Sequence, residues 1–198
     1  CFHVGTQTTD PEVYARAVGV AADVIKTSGV QVDVLDVGGG FPVPYANETV
    51  ASIDIFIETL KTALLAHGLE RIQLLAEPGR ALVAEGGALI ARVELRKGNT
   101  LYLNDGTYGG LFDAGPLLKT RFPVQAMRPD APFEGELKAF RFAGPTCDSL
   151  DMMEGPFMLP ADIKMGDWIE IKNLGAYSKG MRTNFNGFGA ADAVCLYD

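Results

Sequence analysis

Apolar positions in the N-terminal part of the chain alternate between two rhythms. Val13, Ala17, Val20, Val24 and Ile25 recur on one face at helical spacing. Thr9-Asp10-Pro11-Glu12 supplies a capping side chain, a proline where its missing N–H costs little, and an acid in the first turn. Ser28-Gly29 supplies a stop able to take positive φ. A second helix is marked by Ile53, Phe56, Ile57, Leu60 and Leu64 and stops near His67-Gly68. Between and around these helices lie short apolar runs bounded by turn formers: Phe2–Val4, Val32–Val37 and Ile72–Ala76. Such runs read as strands buried on both faces of a parallel sheet. Strand, helix, strand, helix, strand with short connections predicts right-handed crossovers, and fits the C-terminal part of a (β/α)8 barrel over residues 1–90.

From about Leu89 the pattern changes. Leu89–Lys97 and Thr100–Leu103 partly alternate and are separated by Gly98-Asn99, and Asp105-Gly106 follows. Both dipeptides are hairpin signals. Ala139–Phe142, Trp168–Lys172 and Ala193–Tyr197 are further strand candidates between Pro- and Gly-rich connections. An antiparallel β domain is therefore expected over residues 91–198.

Composition narrows the partners. Of the 198 residues, 47% are hydrophobic, enough for a core of this size, and the formal net charge is −8. An acidic chain disfavours nucleic acid and anionic membrane, which select for clustered Lys and Arg, and suits a cationic small molecule. No run reaches the roughly 20 apolar residues a bilayer span needs, so a soluble, cytoplasmic protein is expected. Three scattered cysteines (Cys1, Cys147, Cys195) and two histidines provide neither a disulfide framework nor a metal-ligand cluster. The chain opens without Met, in the middle of an apparent strand, so a preceding segment is expected to cover that edge.

Candidate chemistry gathers at strand ends, where parallel sheets bind ligands. His3 with Thr6, the triglycine Gly38-Gly39-Gly40, and Glu77-Pro78-Gly79-Arg80 would face one mouth. Inward backbone amides and a hydroxyl make an anion cradle, and a carboxylate beside it suits a protonated nitrogen. Each motif alone has an ordinary reading, the triglycine as a turn and Glu77 with Arg80 as a surface ion pair. The β domain adds Gly144-Pro145-Thr146-Cys147-Asp148-Ser149-Leu150-Asp151, a thiol between carboxylates. Standing alone, this reads as an acidic loop holding an inert Cys; nearby acids raise a thiol's pKa and keep it protonated, a poor nucleophile but one able to donate a proton.

Taken in order, Phe2-His3-Val4-Gly5, Asp36–Pro42, Glu77–Arg80, Asn104-Asp105-Gly106, Gly144–Asp148, Gly166-Asp167-Trp168, Gly175-Ala176-Tyr177 and Phe185–Phe188 resemble the eukaryotic-type ornithine decarboxylases across the whole chain. The resemblance implies a pyridoxal 5'-phosphate enzyme, with an alanine-racemase-like barrel followed by a β domain, working as a homodimer with active sites at the subunit interface. It further implies that His3 stacks on the cofactor ring. Thr6, the triglycine with Gly40 foremost, backbone at Gly79 and Arg80, and Tyr177 would bind its phosphate, and Glu77 would hold its ring nitrogen protonated. Cys147 would deliver the proton that completes decarboxylation, Asp113 and Asp148 would receive the substrate's distal ammonium, and Phe185 would form a wall. The expected substrates are ornithine, lysine or both. The alternatives are a diaminopimelate decarboxylase and a non-catalytic, antizyme-inhibitor-like paralogue. Two departures stand out. The cofactor-linking lysine of the family lies on an early barrel strand with no counterpart here, so an N-terminal half is expected. Tyr108–Pro116 is shorter than its equivalent and carries Phe112 where many relatives have Tyr.

Overall fold

A computed structural model describes residues 1–46 and 48–196, and the chain divides into two compact units, Cys1–Val83 and Ala84–Asp198. The break precedes the residue-90 boundary expected from texture, because the turn ahead of Leu89 is already bonded to the second unit: Gly175 N–H donates to the Ala84 carbonyl at 2.9 Å and Leu174 N–H to the Gly87 carbonyl at 2.8 Å.

In the first unit, helix α1 (Glu12–Ser28) starts where Asp10 Oδ1 accepts the Glu12 amide at 2.9 Å and ends on Gly29 at φ 66°. Strand β1 (Val34–Asp36) runs parallel to β2 (Gln73–Leu75), with α2 (Ile53–Ala66) crossing between them in sequence and a short α3 (Gly79–Val83) following. The expected first strand, Phe2–Val4, is not a regular strand. Its ladder is reduced to one bond, Phe2 N–H to the Asp36 carbonyl at 3.1 Å.

The core is built on Tyr14, Phe41 and Phe56, with Tyr14 stacked on Phe41 at 4.9 Å and both edge-on to Phe56. Val18, Leu35, Val37, Leu60 and Leu64 surround them. This corrects the expected face of α1. Tyr14 and Val18 point inward, while Val20 and Val24 are 65% and 62% exposed. Tyr14 is absent from that expected apolar face, yet its hydroxyl donates to the Gly39 carbonyl at 2.9 Å, which permits full burial.

The second unit is one six-stranded sheet in the order β5-β8-β3-β4-β6-β7, with β3 Leu89–Lys97, β4 Thr100–Leu103, β5 Val124–Met127, β6 Leu137–Ala143, β7 Met152–Pro160 and β8 Trp168–Ile171. It curls until its edge strands β5 and β7 meet. Gly98-Asn99 does make the β3–β4 hairpin. The sheet is not wholly antiparallel, however, because β4 and β6 pair in parallel. Asp105-Gly106 is no hairpin turn, since the chain leaves β4 there into a long loop. Residues 193–196 form no strand, and Tyr197 lies outside the described residues. Phe142 stacks on Phe157 at 4.0 Å across the β6–β7 pair, within a core that includes Val93, Leu101, Ile169 and Ile171. No helix among the described residues is long and apolar enough to cross a membrane.

Candidate active site

The expected site residues fall into two groups, one in each unit. In the first unit, three loops at the carboxyl ends of the strands interlock. Gly38 N–H donates to Asp36 Oδ1 at 2.8 Å, Glu77 N–H to the Gly38 carbonyl at 2.8 Å, and Thr8 N–H to the Gly40 carbonyl at 2.8 Å. A Cβ on Gly38 or Gly40 would collide with the Phe2 and Gly5 carbonyls, and one on Gly39 would lie 2.7 Å from the Glu77 carbonyl and 3.4 Å from His3 Nε2. With Gly38 at φ 67° and Gly40 at φ 99°, both steric room and backbone conformation demand glycine. The triglycine is thus first a loop-packing device, which sequence alone read as room for a ligand.

Around this packed floor the polar groups converge. His3 is exposed and its Nδ1 accepts the Gly5 amide at 3.0 Å, leaving Nε2 beside Gly39. The Arg80 guanidinium is buried and donates to the Tyr45 hydroxyl at 2.5 Å and to Thr6 Oγ1 at 3.2 Å. Glu77 is exposed, joined to the floor through its backbone. The structure therefore brings His3, Thr6, Gly38–Gly40, Glu77, Gly79 and Arg80 together. It adds Tyr45, which sequence reasoning missed because nothing marks it before the fold closes over Arg80.

In the second unit the loop Gly144–Asp151 is tied to the loop Asn104–Leu111 by a buried carboxylate. Asp151, 2% exposed, accepts from Thr107 N and Oγ1 at 2.8 and 3.1 Å and from Thr146 N and Oγ1 at 3.0 and 2.8 Å. Asp105 Oδ1 accepts the Gly106 and Gly110 amides, each at 2.7 Å, while its Oδ2 meets Arg182 at 2.5 Å. On this frame Tyr108 donates its hydroxyl to Asp148 Oδ2 at 2.5 Å and lies against Phe185 at 4.5 Å. Asn186 Nδ2 donates to Cys147 Sγ at 3.2 Å. Asp148 also accepts the Leu150 amide at 2.9 Å. That backbone bond, and then the Tyr108 hydroxyl, hold its carboxyl below the usual range, while the same contact with Asp148 pushes the Tyr108 phenol up.

Cys147, Asp148 and Phe185 are thus neighbours through Tyr108 and Asn186, neither of which the sequence reading assigned. Asp148 also borders a cavity of about 580 Å³ with Glu94, Tyr102, Thr146 and Phe188. Asp113 is placed differently, in the turn Phe112–Ala114 and only 4% exposed. Tyr177 is half exposed and holds a left-handed backbone at φ 56°. Among the described residues no cluster of His, Cys, Asp or Glu is placed to hold a metal ion.

Comparison with known proteins finds two domains of one family along the chain. Residues 1–84 match the pyridoxal binding domain of pyridoxal-dependent decarboxylases, and residues 50–175 match their C-terminal sheet domain. The chain belongs to the pyridoxal-dependent decarboxylase family. It is 32% identical over 98% of its length to a chloroplastic ornithine decarboxylase of Nicotiana glutinosa, covering 46% of that protein. It is 32% identical over 94% of its length to antizyme inhibitor 2 of Xenopus laevis, covering 44% of it. A lysine/ornithine decarboxylase of Vibrio vulnificus, solved with cadaverine, superposes with a TM-score of 0.79 at 33% identity, over 100% of this chain and 54% of that one. The chain spans about half the length of the curated relatives it matches.

The donor set suits the group that names the family. An exposed imidazole beside the triglycine floor offers a stacking face, the Thr6 hydroxyl beside buried Arg80 suits a phosphate, and the exposed Glu77 carboxylate suits a protonated ring nitrogen.

Proposed function

We propose that this chain is part of a pyridoxal 5'-phosphate-dependent carboxy-lyase that converts a basic amino acid, ornithine or lysine, to its diamine, a step of polyamine biosynthesis. When bound, pyridoxal phosphate supplies an electron sink for the pair left behind as carbon dioxide departs. The residues of this chain bind, orient and move protons around it. Glu77 holds the ring-nitrogen proton. His3 lies against the ring. Thr6, Gly38–Gly40, the backbone at Gly79 and Arg80, and Tyr177 hold the phosphate. Cys147 gives its Sγ proton to the carbon that has lost carbon dioxide. Asp148 receives the substrate's distal ammonium against Phe185, while Asp113, buried in its own turn, is left out of that role. In a homodimer, the partner subunit's Cys147 and Asp148 serve the cradle of the facing chain.

The observation that carries this reading is the partner of Asp148. A diaminopimelate enzyme must also bind a carboxylate at the substrate's far end and so needs a cation beside this acid. Asp148 is instead joined by a phenol, and among the described residues no cationic side chain pairs with it. An acid ionised below the usual range, with its charge uncompensated, suits a lone ammonium.

Carbon dioxide release by the full-length protein from ornithine, lysine and diaminopimelate tests this. Release from ornithine or lysine supports the proposal, and release from diaminopimelate alone overturns it. The likeness to antizyme inhibitor 2 supports a second reading, a binding role without turnover. That reading predicts no release from any substrate despite a folded protein.

A further inference from the structure

The decarboxylase reading uses Cys147 and Asp148 but gives Asn186 no task. Asn186 sits in the turn Phe185–Gly187 with a left-handed backbone, φ 53° and ψ 16°. Its side-chain amide reaches Cys147 Sγ at 3.2 Å. The turn that presents it is fixed from two sides. Thr183 N–H donates to the Tyr108 carbonyl at 2.8 Å and Phe185 N–H to Thr183 Oγ1 at 3.2 Å, while the Phe185 ring lies on Tyr108. Tyr108 in turn holds Asp148, the residue after Cys147. The thiol thus closes a circuit that runs through the acid, the phenol, the turn and the amide.

We infer that Asn186 is a positioning residue for proton delivery, aiming the Cys147 sulfur and steadying it once its proton has gone. This rests on the decarboxylase reading of the same loop. With Nδ2 as the donor, Sγ accepts from it and its own S–H is left to point elsewhere. When the S–H bond breaks and the substrate carbon takes the proton, the electron pair stays on sulfur as thiolate. A hydrogen bond to an ionised acceptor is roughly twice as strong as one to a neutral group. Asp148 opposes that new negative charge, so the Asn186 donor offsets a repulsion built into the loop.

Asparagine also tolerates the left-handed conformation better than most residues, so two substitutions separate backbone from amide. Asn186→Gly keeps the turn at no steric cost and deletes the amide. Asn186→Asp keeps the shape and replaces the donor by an acceptor. With the full-length protein loaded with pyridoxal phosphate and given ornithine or lysine, the readout is the ratio of diamine to aminoaldehyde, the latter marking turnovers in which the proton reached the cofactor side. Both variants are expected to raise the aminoaldehyde fraction about tenfold, the scale of one charge-assisted hydrogen bond, with KM unchanged. In the cofactor-free protein the side-chain amide resonances of Asn186 are expected to shift on Cys147→Ala. A Gly variant with the wild-type product ratio overturns the inference, as does an amide signal indifferent to Cys147→Ala. A wild-type protein that decarboxylates no amino acid overturns the underlying reading and the inference with it. Wild type and variants that all yield clean diamine overturn the inference alone.

Discussion

Two carboxylates three residues apart, Asp148 and Asp151, have opposite occupations. Asp151 is buried and spends its oxygens on four donors from Thr107 and Thr146, so it is a strut. Asp148 takes one amide and one phenol and borders a cavity. Substituting Asp151→Asn should therefore lower stability, because a buried acceptor that met two donors becomes an amide nitrogen facing them. Tyr108→Phe should leave the fold intact and raise KM for the basic amino acid. The Tyr108 hydroxyl helps to hold the Asp148 carboxyl low, so its loss lets that pKa rise and moves the acid limb of the kcat/KM profile to higher pH. A limb left in place would mean that Asp148 does not bind the substrate. Cys147→Ala should keep cofactor binding and divert turnover from diamine to aminoaldehyde. An unchanged rate and product would place the proton donor elsewhere. The thiol and its acids were legible in the sequence as a loop. Tyr108 and Asn186 were not, because they reach Cys147 and Asp148 across separations of about forty residues that carry no local pattern.

At the scale of elements, the alternation of strand and helix was readable in the first unit because caps and apolar spacing agreed: Asp10 caps α1, Gly29 ends it, and β1 and β2 fall inside their apolar runs. In the second unit two strands escaped. The Val124–Met127 strand lies just after Pro123, and Met152–Pro160 contains Gly155-Pro156, which reads as a break. Both are edge strands, where a proline costs no ladder bond that the sheet needs. The motif Gly166-Asp167-Trp168, one of those that carry the family resemblance, has a structural task. Asp167, 3% exposed, holds Arg128 through bonds of 2.8 and 2.7 Å and accepts the Lys164 amide at 2.8 Å. Burial pushes this carboxyl up, but Arg128 and the Lys164 amide together leave it below the ordinary range. A depressed folded pKa means that the stabilisation is complete above the unfolded value, about 3.9, and is lost as pH falls through the folded one. Urea titrations should show wild type losing stability below about pH 4 and Asp167→Asn both weaker at pH 7 and flatter across that window. Gly40→Ala should cost about 1–3 kcal/mol through a disfavoured backbone, and should weaken cofactor binding because the loop bearing it must move off Gly5.

At the scale of the whole molecule, the two units differ in the sheet that backs each core. The second curls its sheet around a closed core. The first rests on a two-stranded sheet and leaves Val20, Val24 and Val34 at 65%, 62% and 41% exposure along one groove with Cys1, Phe2 and Ile25. Stability scales with apolar burial, so hydrogen exchange on the 198-residue chain should find Leu35 and Leu74 opening well before Phe142 and Ile169. Equal protection would show that the first unit is self-sufficient. For the proposed reaction, one set of loops would hold the cofactor, and another carries a thiol beside an acid held by a backbone amide and a phenol. The central claim is that this acid reads a distal ammonium. It is tested most directly by carbon dioxide release from the full-length, cofactor-loaded protein given ornithine and norvaline, which differ only in that ammonium. A site built to bind a polar group rejects the analogue lacking it by large factors, so ornithine should exceed norvaline by about 100-fold or more in kcat/KM, and Asp148→Asn should collapse the ratio. Equal rates for the two amino acids, or a ratio indifferent to Asp148→Asn, would contradict the account.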